Sequence, residues 1–235
     1  MLTASAQQMT QEAAVTASDI VDRLEKTEAR RQQKSQHYAM NRHYYLKNTR
    51  FDREAEMKVM VQVSRDYGKN FAVLSSTGSE SIHNKVFQKL LAGEAELSRR
   101  ADQSEGYFTK ENYDFELLGF ERINDRQAWV LALKPKRASK NLITGKAWVD
   151  SEDMQVVRIE GRPAANLSFW VGKPHIIIEY QKVQNLWMTS RVRSSARTKL
   201  TGDTELTIHF SNYQMGNNLA RVAALVPLQT ATLVH

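Results

Sequence analysis

The chain has 235 residues, 41% of them hydrophobic, and 33 Lys and Arg stand against 26 Asp and Glu for a formal charge of +7. That is enough apolar material for a sizeable core and too much for a disordered chain. The lack of cysteine removes disulfides, thiolate metal sites, cysteine nucleophiles and lipid-attachment cysteines.

The basic excess attracts anionic partners at long range, but it is scattered. Arg30, Arg31 and Lys34, then Lys134, Lys136, Arg137 and Lys140, then Arg191, Arg193, Arg197 and Lys199 each sit among ordinary pattern residues, as on a solvated face. No apolar run approaches the ~20 residues of a membrane span, so the chain reads as soluble.

Residues 1–17 are polar and read as a flexible segment. Ala4-Ser5-Ala6 is a small-x-small triplet of the signal-peptidase type without its apolar stretch, as expected where an export signal has been removed. Residues 18–235 show no domain boundary and read as a single domain. Ser18 is a candidate N-cap for a helix carrying Ile20, Val21 and Leu24 into the charged "DRLEKTEARRQQK".

The period then changes. "SQHYAMNRHYYLKN" is aromatic and alternating, "EAEMKVMVQVS" puts Ala55, Met57, Val59, Val61 and Val63 on one face, and "KNFAVLSS" continues as a third strand. Thr77 to Glu80 fits a capping box, and Ile82, Val86, Phe87, Leu90, Leu91 and Leu97 predict an amphipathic helix over 80–103. Seven more alternating segments follow: "YDFELLGFERI", "QAWVLALKP", "ITGKAWVDS", "QVVRIEGR", "HIIIEYQKV", "LWMTSRVRSSAR" and "ELTIHFSNYQ". Short turns such as Asn124-Asp125, Ser151-Glu152-Asp153 and Gly202-Asp203 separate them, which leaves no room for crossover helices. Residues 216–235 are a polar turn and an apolar tail. The pattern predicts a mainly β (α+β) fold, a strongly curved antiparallel half-barrel of about ten strands covered by helices.

Its inward face defines the candidate site. Met57, Val59, Val61, Phe71, Val73, Val86, Leu90, Phe115, Leu117, Trp129, Leu131, Leu133, Ile176, Ile178, Ile208 and Phe210 are the apolar residues expected to line the interior. They either enclose an apolar ligand cavity or fill the space themselves.

No motif supplies catalysis. His37, His43, His83, His175, His209 and His235 form no metal-binding spacing, and no Gly-x-Ser-x-Gly elbow, Walker loop or Gly-x-Gly-x-x-Gly is present. The expectation is a non-enzyme with no cofactor and no metal. "GKAWVDSEDMQVVRIEG" groups several carboxylates beside Arg158, but on a hairpin they fall at its turn and rim. There Asp150 and Glu152 are expected to be exposed, with Trp148 on the solvent or rim face and Val157 and Ile159 inward. Such neighbours do not make the paired carboxylates of a glycosidase.

This stretch, with Pro163 and the later Tyr180 and Trp187 of "IEYQKVQNLWMTSRVRSSAR", resembles hairpins of bacterial outer-membrane lipoprotein-sorting proteins, the LolA/LolB-like superfamily. The resemblance extends to the order of elements from about residue 18 to 214. It implies a half-open barrel closed by helices, with an apolar cavity that holds acyl chains during transfer through the periplasm. On that reading the chain is periplasmic, exported, soluble and not lipid-anchored, and it binds lipid or lipoprotein acyl chains. Envelope proteins and an anionic membrane surface are further candidate partners. Two alternatives remain: an envelope sensor or scaffold module with a filled core, and, less favoured, a basic nucleic-acid-binding barrel using the aromatics of "HYAMNRHYYLKN". Those aromatics fit a buried strand equally well, so no nucleic acid is expected.

Overall fold

The computed structural model describes residues 15–34, 37–64, 68–99, 108–167, 173–198 and 202–216. The chain runs α1 (Ala17–Lys34), β1 (His37–Asn48), β2 (Arg53–Ser64), β3 (Gly68–Gly78), α2 (Glu80–Ile82), a π-helical segment (His83–Phe87), α3 (Gln88–Arg99) and then β4 (Tyr113–Ile123). After it come β5 (Arg126–Pro135), β6 (Ile143–Asp150), β7 (Val156–Pro163), β8 (His175–Val183), β9 (Leu186–Thr198) and β10 (Gly202–Met215). All ten strands form one sheet in the order β3-β2-β1-β10-β9-β8-β7-β6-β5-β4. Every pairing is antiparallel. The edges β3 and β4 do not pair with each other, so the sheet is open. The long alternating pattern folds as expected, and both helical arms lie on the inner face.

Helix α1 begins two residues earlier than an N-cap at Ser18 would place it. Thr16 and Asp19 exchange hydrogen bonds, with the Thr16 amide donating to Asp19 Oδ2 at 3.0 Å and the Asp19 amide to Thr16 Oγ1 at 3.2 Å. This is a capping box built on Thr16. The one expected at Thr77–Glu80 does not form: Thr77 belongs to β3, and Ser79 is the N-cap without a side-chain capping bond to the helix backbone. The helix predicted over 80–103 is followed to Arg99, and residues 100–103 lie outside the described part, as do residues 1–14 and the apolar tail from 217.

Two apolar seams hold the helices. Ile82 and Phe87 sit in a core with Met40, Tyr44, Leu46, Ala55, Met57, Val59 and Val61, while Ile20, Val21 and Leu24 of α1 sit with Leu131, Val149 and Met154. Each fully buried side chain of this size contributes roughly 1.5–3 kcal/mol.

The hairpin that stood out in the sequence forms as β6–β7, and its glycines explain how. Gly145 and Gly161 are register partners; a Cβ on the first would lie 2.1 Å from the Glu160 carbonyl oxygen, and on the second 2.3 Å from that of Thr144. Two backbones this close admit only glycine.

Three expectations for this hairpin are corrected. A β-bulge at Trp148/Val149 brings Val156, not Val157, opposite Val149, so Val157 turns to the outer face. There it joins Ala128, Val130, Trp148 and Trp187 in a second apolar layer, and Trp148 is only 6% exposed, with its indole N–H donating to Glu121 Oε2 at 2.8 Å. Asp150 is 1% exposed, not a solvated turn carboxylate. It accepts Arg126 Nε at 2.5 Å and Nη2 at 2.7 Å, and the amides of Glu152 at 3.1 Å and Asp153 at 2.7 Å. Burial alone would raise its pKa, but the bonds from Arg126 and these amides hold it below the usual carboxylate value.

Candidate functional site

The apolar stripe of α1 explains the open space beside it. Ala17, Ile20, Val21 and Leu24 repeat at helical spacing and seal the first half of the helix to the sheet. The next positions on that face are Glu28 and Arg31, which cannot do so. They pair with each other instead, Arg31 Nε donating to Glu28 Oε2 at 2.8 Å and Nη2 to Oε1 at 2.5 Å.

Under this second half lies a cavity of about 380 Å³. Its helix wall is Leu24, Glu25, Glu28, Ala29 and Arg31; its other walls are Phe108, Thr109, Gln155, Val156, Tyr180 and Trp187. The size falls within the range of small-molecule sites, and an apolar floor with a few polar groups is their usual character. Lys110 anchors the near end of α1, donating from Nζ to Asp22 Oδ1 at 2.6 Å and Ser18 Oγ at 2.8 Å, and from its amide to Glu25 Oε1 at 2.8 Å. The Trp187 wall is fixed by its indole N–H, which donates to Asp153 Oδ2 at 2.9 Å. Tyr180 is desolvated, with Arg31 and Glu28 as its charged neighbours, and its pKa is pushed up to about 12, chiefly by burial.

None of the sixteen residues expected to line the interior lines this cavity. Met57, Val59 and Val61 are core residues beneath the α2–α3 arm, with Phe71, Val86, Ile208 and Phe210 packed against them. Leu131 lies beneath α1 with Phe115, Leu117 and Trp129 against it, and Leu133 belongs to a third cluster that Ile178 borders. Ile176 is half-buried. Val73 on the edge strand is 55% exposed and Leu90 on α3 is 40% exposed, so neither is enclosed.

The α2–α3 side is closed by a charged clasp that the sequence reading missed. Arg42, 5% exposed on the inner face of β1, donates to Glu94 of α3 from Nη1 at 2.6 Å and Nη2 at 2.9 Å. Lys69 Nζ reaches Glu94 Oε1 at 2.6 Å, and the guanidinium lies over the Phe210 ring at 4.9 Å. The available signal was an arginine at an inward parity position between Met40 and Tyr44. Among the described residues no group of three or more His, Asp or Glu is placed to hold a metal ion.

No protein-family model matches the chain, and no curated protein matches it in sequence. Solved structures do resemble it. A LolA superfamily protein from Nitrosomonas europaea aligns over 89% of this chain and 97% of its own at 12% identity, with a TM-score of 0.45. A DUF1329 family protein from Desulfovibrio piger covers 86% of this chain and 96% of its own at 13% identity and a TM-score of 0.41. A putative outer membrane lipoprotein-sorting protein domain from Vibrio parahaemolyticus covers 84% and 94% at 11% identity and a TM-score of 0.40.

Proposed function

We propose that this protein is a non-catalytic carrier or binding protein of the bacterial envelope, working in the periplasm and taking an acyl chain of a lipid or lipoprotein into the groove beneath α1. The observation that carries the reading is the cavity itself, apolar in floor and open because α1 loses its apolar stripe after Leu24. Such a site works by partition. Each methylene moved from water into it is worth about 0.8 kcal/mol, so part of one acyl chain suffices for binding without any covalent step. The resemblance of residues 145–161 and their surroundings to lipoprotein-sorting proteins supports the same class of ligand. No helix among the described residues is long and apolar enough to cross a membrane.

The test is titration with a fluorescent fatty-acyl probe. Saturable one-to-one binding is expected, together with its loss in Ala29→Trp, which fills the groove from an exposed helix position. Lys58→Glu, at an exposed position on β2, serves as the control and leaves affinity unchanged apart from a salt-screened term. A folded protein that binds no probe, or an Ala29→Trp variant that binds as wild type, refutes this assignment and favours a filled-core interaction module.

A further inference from the structure

The polar groups around the cavity are not equivalent, and their commitments say which ligand head fits. The ionised ones are already engaged. Arg31 is forked onto Glu28, and Glu25 accepts the Lys110 amide. An incoming carboxylate or phosphate would have to displace Glu28 from Arg31 while facing Glu25 and Glu28 at short range. That exchange of one anion for another yields little and adds repulsion. An incoming cation would find Glu28 neutralised by Arg31 and Glu25 held on the Lys110 amide beside the Lys110 ammonium, which is itself paired with Asp22. The neutral polar groups on the walls are Thr109, Gln155, whose Nε2 donates to the Met154 carbonyl at 3.3 Å, and Tyr180. The Tyr180 side chain lines the cavity, its hydroxyl has Arg31 and Glu28 as charged neighbours, and it makes no hydrogen bond to another described residue. The other aromatic wall with a polar end, Trp187, has spent its N–H on Asp153.

We infer that the groove recognises its ligand at a neutral acyl carbonyl, that of an ester or amide, which accepts a hydrogen bond from the Tyr180 hydroxyl while the chain lies along Leu24, Val156 and Trp187. This rests on the acyl-carrier reading and narrows it from any apolar chain to an acyl group in covalent linkage. A carbonyl brings one acceptor and no charge, which matches the neutral hydroxyl of the half-buried Tyr180. An unfunctionalised alkane leaves that donor unpaired, and a buried donor without a partner is costly. The raised pKa keeps the phenol protonated, and so a donor, throughout the neutral range.

The experiment uses the full chain and three competitors of equal chain length against the fluorescent acyl probe: the methyl ester, the free carboxylate at neutral pH and the plain alkane. The expected order places the ester about three- to tenfold ahead of both others, the range of a single neutral hydrogen bond. Tyr180→Phe is expected to close the gap between ester and alkane, the ester weakening as it loses its donor and the alkane gaining as it no longer covers an unpaired one. Its urea midpoint is expected to match wild type, because the hydroxyl has no partner among the described residues to lose. Ester and alkane competing equally in wild type overturn the inference and leave the carrier reading standing. The carboxylate competing best overturns it in favour of an anion site at Arg31. A Tyr180→Phe variant that weakens ester and alkane alike assigns Tyr180 to packing and also overturns it. Absence of binding by the probe and all three competitors ends both readings.

Discussion

Glu94→Gln removes the charge from the clasp on α3 while keeping its shape, and its cost follows from what is left behind. Arg42 remains buried among Tyr44, Phe71 and Phe210 with its carboxylate partner gone. Losing one member of a fully buried pair costs about 3–5 kcal/mol; Glu94 is 30% exposed, so about 2–3 kcal/mol is expected here. The pH dependence provides a second, independent check. Burial alone would raise the Glu94 pKa, but the bond from Arg42 and the charges of Lys69 and Arg42 bring it down to about 2 from an ordinary 4.5. Because the folded value lies below the unfolded one, the stabilisation is complete above about pH 4.5 and is lost as the pH falls toward 2. Urea unfolding of both proteins from neutral to acidic pH therefore gives a gap that is widest at neutrality and narrows through that window. A gap under about 0.5 kcal/mol at neutral pH, or one that acidification leaves intact, refutes the clasp.

At the β6–β7 turn, Asp150→Asn is expected to cost about 2–3 kcal/mol in urea unfolding, since the carboxylate is buried and Arg126 loses its bidentate partner. Glu152→Ala, whose side chain is 78% exposed, is expected to cost under about 0.5 kcal/mol, and equal effects would show that the turn works as an exposed charge cluster. Gly161→Ala is expected to lower Tm by the equivalent of about 1–3 kcal/mol, because its Cβ meets the Thr144 carbonyl; an unchanged Tm would mean that the two strands part without cost.

The sheet was legible because its inner face is filled by alternation, and a period of two survives in any strand long enough to count. What parity cannot see is a bulge. One extra residue at Trp148/Val149 reverses the phase at the turn end of β7, which sends Val157 outward while Ile159 stays inward; Trp148 was placed on the correct face, but a second apolar layer covers that face. Asp150 was misread for a different reason. A carboxylate at the end of a strand looks like a turn carboxylate until a cation from elsewhere reaches it, and Arg126 lies 24 residues away. Arg42 and Glu94 are 52 residues apart, and only the packing of α3 across β1 and β3 brings them together.

The groove had a local signal after all, in how a helix uses its apolar face. Counting apolar residues along α1 shows that it binds the sheet; counting where they stop shows where it does not. After Leu24 the inward positions pass to Glu28 and Arg31, so the helix continues over the sheet with nothing to bury. In α3 the same exhaustion occurs after Leu91, but there Arg42 rises from β1 to meet Glu94. The sheet beneath α1 sends up Tyr180 and Val156 instead, neither of which carries a charge that could close the gap with an ion pair. One helix with a polar second half is therefore a clasp and the other a roof over a cavity. The difference lies in a single strand residue beneath each, a long cation in one case and an aromatic with an unspent hydroxyl in the other.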